Sequence, residues 1–400
     1  MASEQDGIVI VGAGAAGHAA AAGLRRHGWT GRIRLVHGED GPPINRTLVD
    51  TGLLPGLLTV GQIALPPLDD VELVHARAIA LDPESRSVAL SNGQVLTGEA
   101  IVLATGSAPR ALDPSVEVDA EVPLHVLHTA DDAASLRGAV AALDAPRIAV
   151  LGAGFIGAEV ASLWAPGARV TLVGRSALPL RDAVGEGIAA RLAALHAERV
   201  DARLGSRVLA VRATPGGAAP VRVELAGEDG ASDVVDADLV VVAVGAAPAA
   251  AWAGFPGAVP TDDRLRVPGM PGVYAAGGAA APEVDGAPLR VDHWDAAAAQ
   301  GAHAAQAVLH DLGLAADPGP WRPITGFTLM AHGAVVSGRG AWAPGAETTT
   351  EAAGDGLLAL VRDASGTLVG VAGWNAGRAV AEAAARIGAA AAPVASGKPA

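Results

Sequence analysis

One arrangement occurs twice in this 400-residue chain and narrows its fold more than any other feature. Gly7-Ile8-Val9-Ile10-Val11 is a short β-branched run suited to a strand buried on both faces. Gly12-Ala13-Gly14-Ala15-Ala16-Gly17 follows at once, then a small-residue helix through Ala22 and Leu24, then a strand over Ile33 to Val36 that ends just before Gly38-Glu39. The pattern returns at Arg147-Ile148-Ala149-Val150-Leu151, which leads into Gly152-Ala153-Gly154-Phe155-Ile156-Gly157-Ala158-Glu159. A helix toward Trp164 and a strand over Arg169 to Val173 complete it. Strand, glycine turn, helix and strand make a βαβ unit with the dinucleotide fingerprint. A lone copy carries little weight in a chain rich in alanine and glycine. Two copies, each between a strand and a helix, point to two nucleotides.

The chemistry follows from the helix start. Each glycine turn presents backbone N–H groups at a helix N-terminus, where the partial positive charge favours a pyrophosphate. Gly12, Gly14 and Gly17, with Ala15 and Ala16, are candidates to hold the first nucleotide. Gly152, Gly154 and Gly157, with Phe155 and Ile156, are candidates for the second. Beyond the second strand the copies diverge. Glu39 stands where a carboxylate accepts hydrogen bonds from ribose hydroxyls; its plainer reading is a solvated acid in Gly-Glu-Asp-Gly. The other copy has Gly174-Arg175-Ser176 in that place. Arginine there suits a 2′-phosphate, so NADPH is expected ahead of NADH, the plainer reading being a solvent arginine. Arg181 is a further candidate. Ala100 to Gly106 and Leu239 to Gly245 read as central parallel strands. Their closing glycines either terminate them or let backbone approach a cofactor at the carboxyl ends.

Composition serves to exclude. Net charge is −14, which argues against general nucleic-acid binding and against attachment to an anionic membrane. The chain has no cysteine, so structural disulfides, thiolate metal sites and redox-active disulfides are impossible, and no metal is assigned. Lys398 is the sole lysine. The start of the sequence lacks the features of a signal peptide, and no apolar run approaches the ~20 residues of a membrane span. The expectation is a cytoplasmic protein. From Pro318 onward the helical pattern yields to Ile324–Met330, Leu357–Val361 and Leu368–Val371, a small sheet, and then to an Ala-rich helix from Arg378 to Ile387.

The order of the motifs carries a resemblance. GAGAAG, ATGSAPR (Ala104–Arg110), GAGFIGAE (Gly152–Glu159), Val273-Tyr274-Ala275-Ala276-Gly277 and Asp292-His293-Trp294-Asp295 through Gln300-Gly301 resemble FAD-dependent pyridine nucleotide oxidoreductases. Within them the chain is most similar to the ferredoxin (putidaredoxin, rubredoxin) reductases that feed bacterial oxygenases and cytochromes P450. The resemblance implies an α/β fold of two interleaved Rossmann-like domains, one for FAD and one for NAD(P), with a small C-terminal α+β domain. FAD would take residues 1–114 and 247–320, NAD(P)H residues 115–246, and an acceptor-face domain residues 321–392, before a disordered tail at 393–400.

By residue, the resemblance gives Gly12, Gly14, Gly17 and Glu39 to the FAD nucleotide and Arg46 to the family's Arg-Pro-Pro segment. It lays Ala78 against adenine and matches Ala104, Thr105, Gly106 and Arg110 to the second flavin-contacting strand. Gly277 and Gly278 close the cofactor run, Gly245 closes the NAD(P) segment, Glu159 would lie near the nicotinamide carboxamide, and Trp294 beside the flavin ring. Glu159 as a helix-start acid and Trp294 as core packing are the plainer readings. Three departures stand out. Gly278 replaces an aspartate that would bind the ribitol chain of FAD, so Gly278→Asp is expected to tighten FAD. No lysine follows Arg46. The tryptophan-rich acceptor segment is reduced to Trp321-Arg322-Pro323. The implied function is hydride transfer from NAD(P)H to FAD and onward to a ferredoxin-type carrier, in a monomer or homodimer. The alternatives are a flavoenzyme with a small organic substrate, or a non-catalytic relative with weakened FAD binding.

Overall fold

In a computed structural model the described residues are 7–217, 219–284, 286–322, 326–340 and 346–388. They form two compact units. The first draws on Met1–Ala111, Val126–Ala141 and Gly245–Pro323; the second on Leu112–His125, Ala142–Val244 and Ile324–Ala400.

In the first unit Gly7–Val11 is the middle of a parallel arrangement, flanked by Ile33–His37 and Val95–Leu103, with Glu72–His75 beyond the former. Val95–Leu103 divides its pairing along its length. Its first residues join Ser87–Leu90 antiparallel, while Ile101 to Leu103 join Val273–Ala275 parallel. The return of the chain at 273 therefore brings Gly277 to the same sheet edge as Gly12. Every residue of Gly7–Val11 is buried, as a strand covered on both faces must be. Period-two alternation sends Ile8 and Ile10 toward Ala20, Leu24, Ala304 and Val308, and Val9 and Val11 toward Leu90, Val259 and Val267. Each such buried side chain contributes about 1.5–3 kcal/mol.

Helices Ala15–Arg26 and Trp294–Asp311 cover one face and approach closely because their contact is built from Ala and Gly. A Cβ on Gly301 would overlap the Ala16 carbonyl, and one on Gly23 would come within 3.0 Å of Ala305 Cβ. Helix Ala130–Ala141 also packs in this unit, with Arg137 Nη1 donating to the Leu53 carbonyl at 2.9 Å.

The second unit repeats the scheme with five parallel strands in the order Asp201–Leu204, Arg169–Gly174, Arg147–Leu151, Leu239–Val242, Leu124–His125. The two glycine turns thus lie in separate sheets. A C-terminal antiparallel sheet follows, ordered Gly326–Ala331, Ala334–Gly340, Leu368–Trp374, Gly356–Arg362, Glu347–Ala353. It has five strands where sequence periodicity suggests three. Ala334–Gly340 is interrupted by Gly338 and Gly340, and Glu347–Ala353 is a Thr-rich edge strand exposed on nearly every residue, so neither shows an apolar period. The closing helix is Gly377–Ala384, shorter at its end than the alanine run implies. The tail at 393–400, Pro323 and Ile324 lie outside the described residues.

Candidate functional site

The two glycine turns have the same backbone. Gly12 and Gly152 adopt φ of +108° and +116°, and a Cβ on either would overlap a carbonyl of the neighbouring strand segment, Ala104 in one unit and Ala243 in the other. Gly14 and Gly154 are the helix N-caps, with extended φ/ψ of −73°/−164° and −81°/−163°. A Cβ on either would meet nothing within 4 Å, so this glycine fronts open space where a phosphate can approach the backbone. Gly17 and Gly157 press against the carbonyls of Gly12 and Gly152, which draws each helix onto its strand. Neither helix has a side-chain cap or an acid in its first turn, so its first N–H groups and positive end stay available to an anion.

Around the first turn the structure gathers several residues that the sequence singles out. Arg46 Nη2 donates to Glu39 Oε1 in an ion pair, and Arg46 Nη1 donates to the His128 carbonyl at 2.9 Å. Burial, and then the Arg46 charge, hold the His128 imidazole below the ordinary histidine range. Ala78 opens the strand Ala78–Asp82 and is half-buried. Thr105 Oγ1 donates to the Ala249 carbonyl at 2.6 Å, and Arg110 ties to the returning segment through the Gly245 and Ala246 carbonyls. These two side chains fasten the crossover where Ser107–Pro109 pairs with Ala246–Pro248.

Gly277, at φ +78°, turns beside the first turn of the helix, where its Cβ would come within 3.0 Å of Ala16 Cβ. The Gly277 N–H donates to Gln300 Oε1 at 2.6 Å. Gln300 is fully buried, and its Nε2 has no partner among the described residues, a donor left to be satisfied. Gly301 then lets the long helix touch Ala16, which gives the Gln-Gly pair a physical reason. Trp294 begins that helix, half-buried, and burial lowers the pKa of His293 just before it. Asp292, part of the same motif but with no role read from sequence, has its carboxylate over Gly278. It accepts from Ser107 Oγ at 3.0 Å and from Arg290 Nη2 at 2.8 Å.

Around the second turn the supports differ. Glu159 Oε1 accepts from the Met330 N–H at 2.9 Å, Phe155 packs edge-on to Phe327 at 5.1 Å between ring centres, and the His332 N–H donates to Ser162 Oγ at 2.5 Å. The face of this helix that carries Glu159 therefore meets the strand Gly326–Ala331. Ile156 is exposed. Gly174 is a packing glycine, since a Cβ there would come within 2.8 Å of Ala153 Cβ and Leu204 Cδ2. Arg175 is exposed at the strand's end, and its charge helps hold the Asp113 carboxyl below its usual range, behind the larger effect of the Ser115 hydroxyl and N–H.

A family model described as pyridine nucleotide-disulphide oxidoreductase matches residues 6–301, most of the chain. The chain belongs to the pyridine nucleotide-disulphide oxidoreductase family. Rhodocoxin reductase of Rhodococcus erythropolis is 33% identical over 275 residues, 65% of this chain and 62% of that protein. The chain thus spans about three fifths of that relative's length. Rubredoxin-NAD(+) reductase of Pseudomonas putida is 29% identical over 349 residues, 82% of this chain and 86% of the relative. Among solved structures, the ferredoxin reductase for the CYP199A2 system from Rhodopseudomonas palustris superposes with a TM-score of 0.80 at 27% identity, covering 93% of this chain and 91% of that one.

The family's cofactors are FAD and NAD(P)H, and its name refers to disulphide chemistry that a chain without cysteine cannot perform. The first turn fits a dinucleotide. Its uncapped helix end, the open front of Gly14, the acceptor Glu39 and the unsatisfied donor of Gln300 are complementary to pyrophosphate and hydroxyl groups. The second turn offers the same phosphate cradle with arginine in place of the ribose acid. Among the described residues no helix is long and apolar enough to cross a membrane, and no cluster of metal-ligating side chains occurs.

Proposed function

We propose that this chain is a flavoprotein reductase that takes hydride from NAD(P)H onto FAD and passes electrons to a ferredoxin-type carrier serving an oxygenase or P450. The observation that carries this is the pair of glycine turns with the same backbone, in separate parallel sheets, each with an uncapped helix end. FAD belongs to the first, in a domain made of residues 1–114 and 247–320, with the helix Ala130–Ala141 packed in the same unit. NAD(P)H belongs to the second, within residues 115–246 apart from that helix, and residues 321–392 would form the acceptor-face domain. FAD, when bound, accepts a hydride and releases electrons one at a time.

The protein's part is binding and orientation. Gly12, Gly14 and Gly17 with the 15–17 N–H groups hold the pyrophosphate, and Glu39, fixed by Arg46, accepts from the adenosine ribose. Trp294 borders the flavin ring. Gly152, Gly154 and Gly157 hold the nicotinamide nucleotide, with Glu159, anchored by the Met330 N–H, near its carboxamide. Arg175 favours NADPH by a charge-assisted bond to the 2′-phosphate. Absence of cysteine leaves no protein thiol to relay electrons, which supports a one-electron carrier as acceptor. Two measurements test the proposal. Purified protein supplied with FAD should show flavin absorbance after gel filtration, and its NADPH consumption should rise when a ferredoxin is added. Consumption indifferent to ferredoxin but dependent on a small organic acceptor would replace the carrier in this reading.

A further inference from the structure

We propose that Asp292 supplies the carboxylate that accepts from the hydroxylated chain of FAD, in the space that a side chain at position 278 would take. This rests on the reading of the first glycine turn as the FAD site. A Cβ built on Gly278 would overlap Asp292 Oδ1, with Asp292 Cγ 3.1 Å away and Ser107 Cβ 3.4 Å away. The chain therefore has an acid over this turn, delivered from the segment that opens helix Trp294–Asp311 rather than from the turn itself. Its position along the cofactor follows from its neighbour. Gly277 lies against Ala16 in the first turn of the proposed pyrophosphate-binding helix, so the acid over Gly278 stands one residue from that cradle.

Two donors hold the carboxylate in place. Ser107 Oγ donates to Oδ1, and Arg290 Nη2 donates to Oδ2. Arg290 Nε also donates to the Gly278 carbonyl at 2.8 Å, so a single guanidinium fixes the acid relative to the backbone beneath it. A carboxylate offers about four acceptor positions, of which these donors use two. The side chain is 34% exposed, so part of the carboxylate remains accessible. An anion in this place repels phosphate and attracts hydroxyl donors, which suits a polyol rather than a second phosphate. A plain surface ion pair between Arg290 and Asp292 would contribute little to anything and would leave the Gly278 overlap a coincidence. The same geometry reverses the expectation for Gly278→Asp. The new side chain would press on Asp292 and set two carboxylates together, weakening FAD instead of tightening it.

The test titrates apoprotein with FAD, followed by flavin fluorescence, and with ADP, followed by calorimetry. ADP shares the pyrophosphate and adenosine but lacks the polyol. Asp292→Ala should weaken FAD about ten- to a hundredfold, the value of a charge-assisted hydrogen bond, and leave ADP within about twofold. Asp292→Asn, which keeps a partner for Ser107, should show a smaller loss with the same selectivity, and it carries the test if the alanine variant does not fold. Gly278→Asp should weaken FAD, and the double variant Gly278→Asp with Asp292→Gly should recover much of it. Wild-type affinity for FAD in both Asp292 variants, or equal losses of FAD and ADP, would overturn the assignment of Asp292 alone. A wild type that binds ADP but not FAD would overturn the flavin site itself, and the inference with it.

Discussion

The first and second glycine turns agree in backbone angles and in the carbonyls they press against, yet their surroundings share almost nothing. Behind the first lies a second helix of alanine and glycine, with Gln300 reaching back to the Gly277 N–H. Behind the second lies a β-strand, joined through Glu159, Phe155 and Ser162. Past the second strand one ends in a carboxylate held by arginine, the other in an exposed arginine. The fingerprint sets the backbone of the turn alone. On the proposed reading, which nucleotide each turn takes is set by side chains that approach from elsewhere.

The third glycine of each turn is expected to tolerate substitution least. Gly17→Ala and Gly157→Ala impose the same overlap on a backbone carbonyl, at a cost of about 3 kcal/mol, the upper end for overpacking. Gly17→Ala should abolish FAD retention on gel filtration. Gly157→Ala should keep FAD and lose reduction by NADPH. Loss of FAD in both variants would mean that the turns are not separate sites.

The support behind the second turn should also titrate. His196, fully buried, meets the His332 ring at 3.0 Å between Nδ1 and Nε2, and burial, then His332, push its pKa down to about 4. Burial, then Arg199, lower His332 as well. His196 stays neutral in the folded chain while an unfolded histidine protonates, so its contribution is full above pH 6.5 and is lost as pH falls toward 4. Between pH 7 and pH 5 that amounts to about 2 kcal/mol. Thermal melts should drop by roughly 4–8 °C for this unit over that interval, and His196→Gln should flatten the dependence.

A smaller effect sharpens the contrast between ribose acid and arginine. Arg175→Ala should raise the KM for NADPH about ten- to a hundredfold and spare NADH. Stopped-flow reduction in which both cofactors suffer equally would make Arg175 a surface residue. Smallest is Glu39→Gln, which should weaken FAD by about tenfold, since the amide still accepts from a hydroxyl but no longer pairs with Arg46. Equilibrium dialysis against FAD measures it.

Much of this was legible in sequence where the signal is local. Gly7–Val11 and residues 148–151 are continuous apolar runs, and the glycine spacing that follows each, occurring twice, points to nucleotide turns. Glu347–Ala353 was not, because an exposed edge strand needs no apolar face. Helix Ala130–Ala141 buries only Ala133 and Leu136, too little to signal that it packs with the first unit. Asp292 over Gly278 was hidden for another reason. The two are 14 positions apart, and no spacing rule links a turn to an acid carried in by a later helix start. Arg46 beside Glu39 is similar, since the resemblance gives each to FAD separately and their mutual ion pair emerges only in three dimensions.

On the proposed reading, FAD at the first turn receives hydride from NAD(P)H at the second. The most direct measurement of that transfer is anaerobic mixing of FAD-loaded protein with NADPH, with the flavin's visible absorbance recorded for the wild type and for Gly157→Ala. Rapid bleaching is expected in the wild type and none, with FAD still bound, in Gly157→Ala. Equal bleaching in the two proteins, or a wild type whose bound flavin does not bleach, would contradict it.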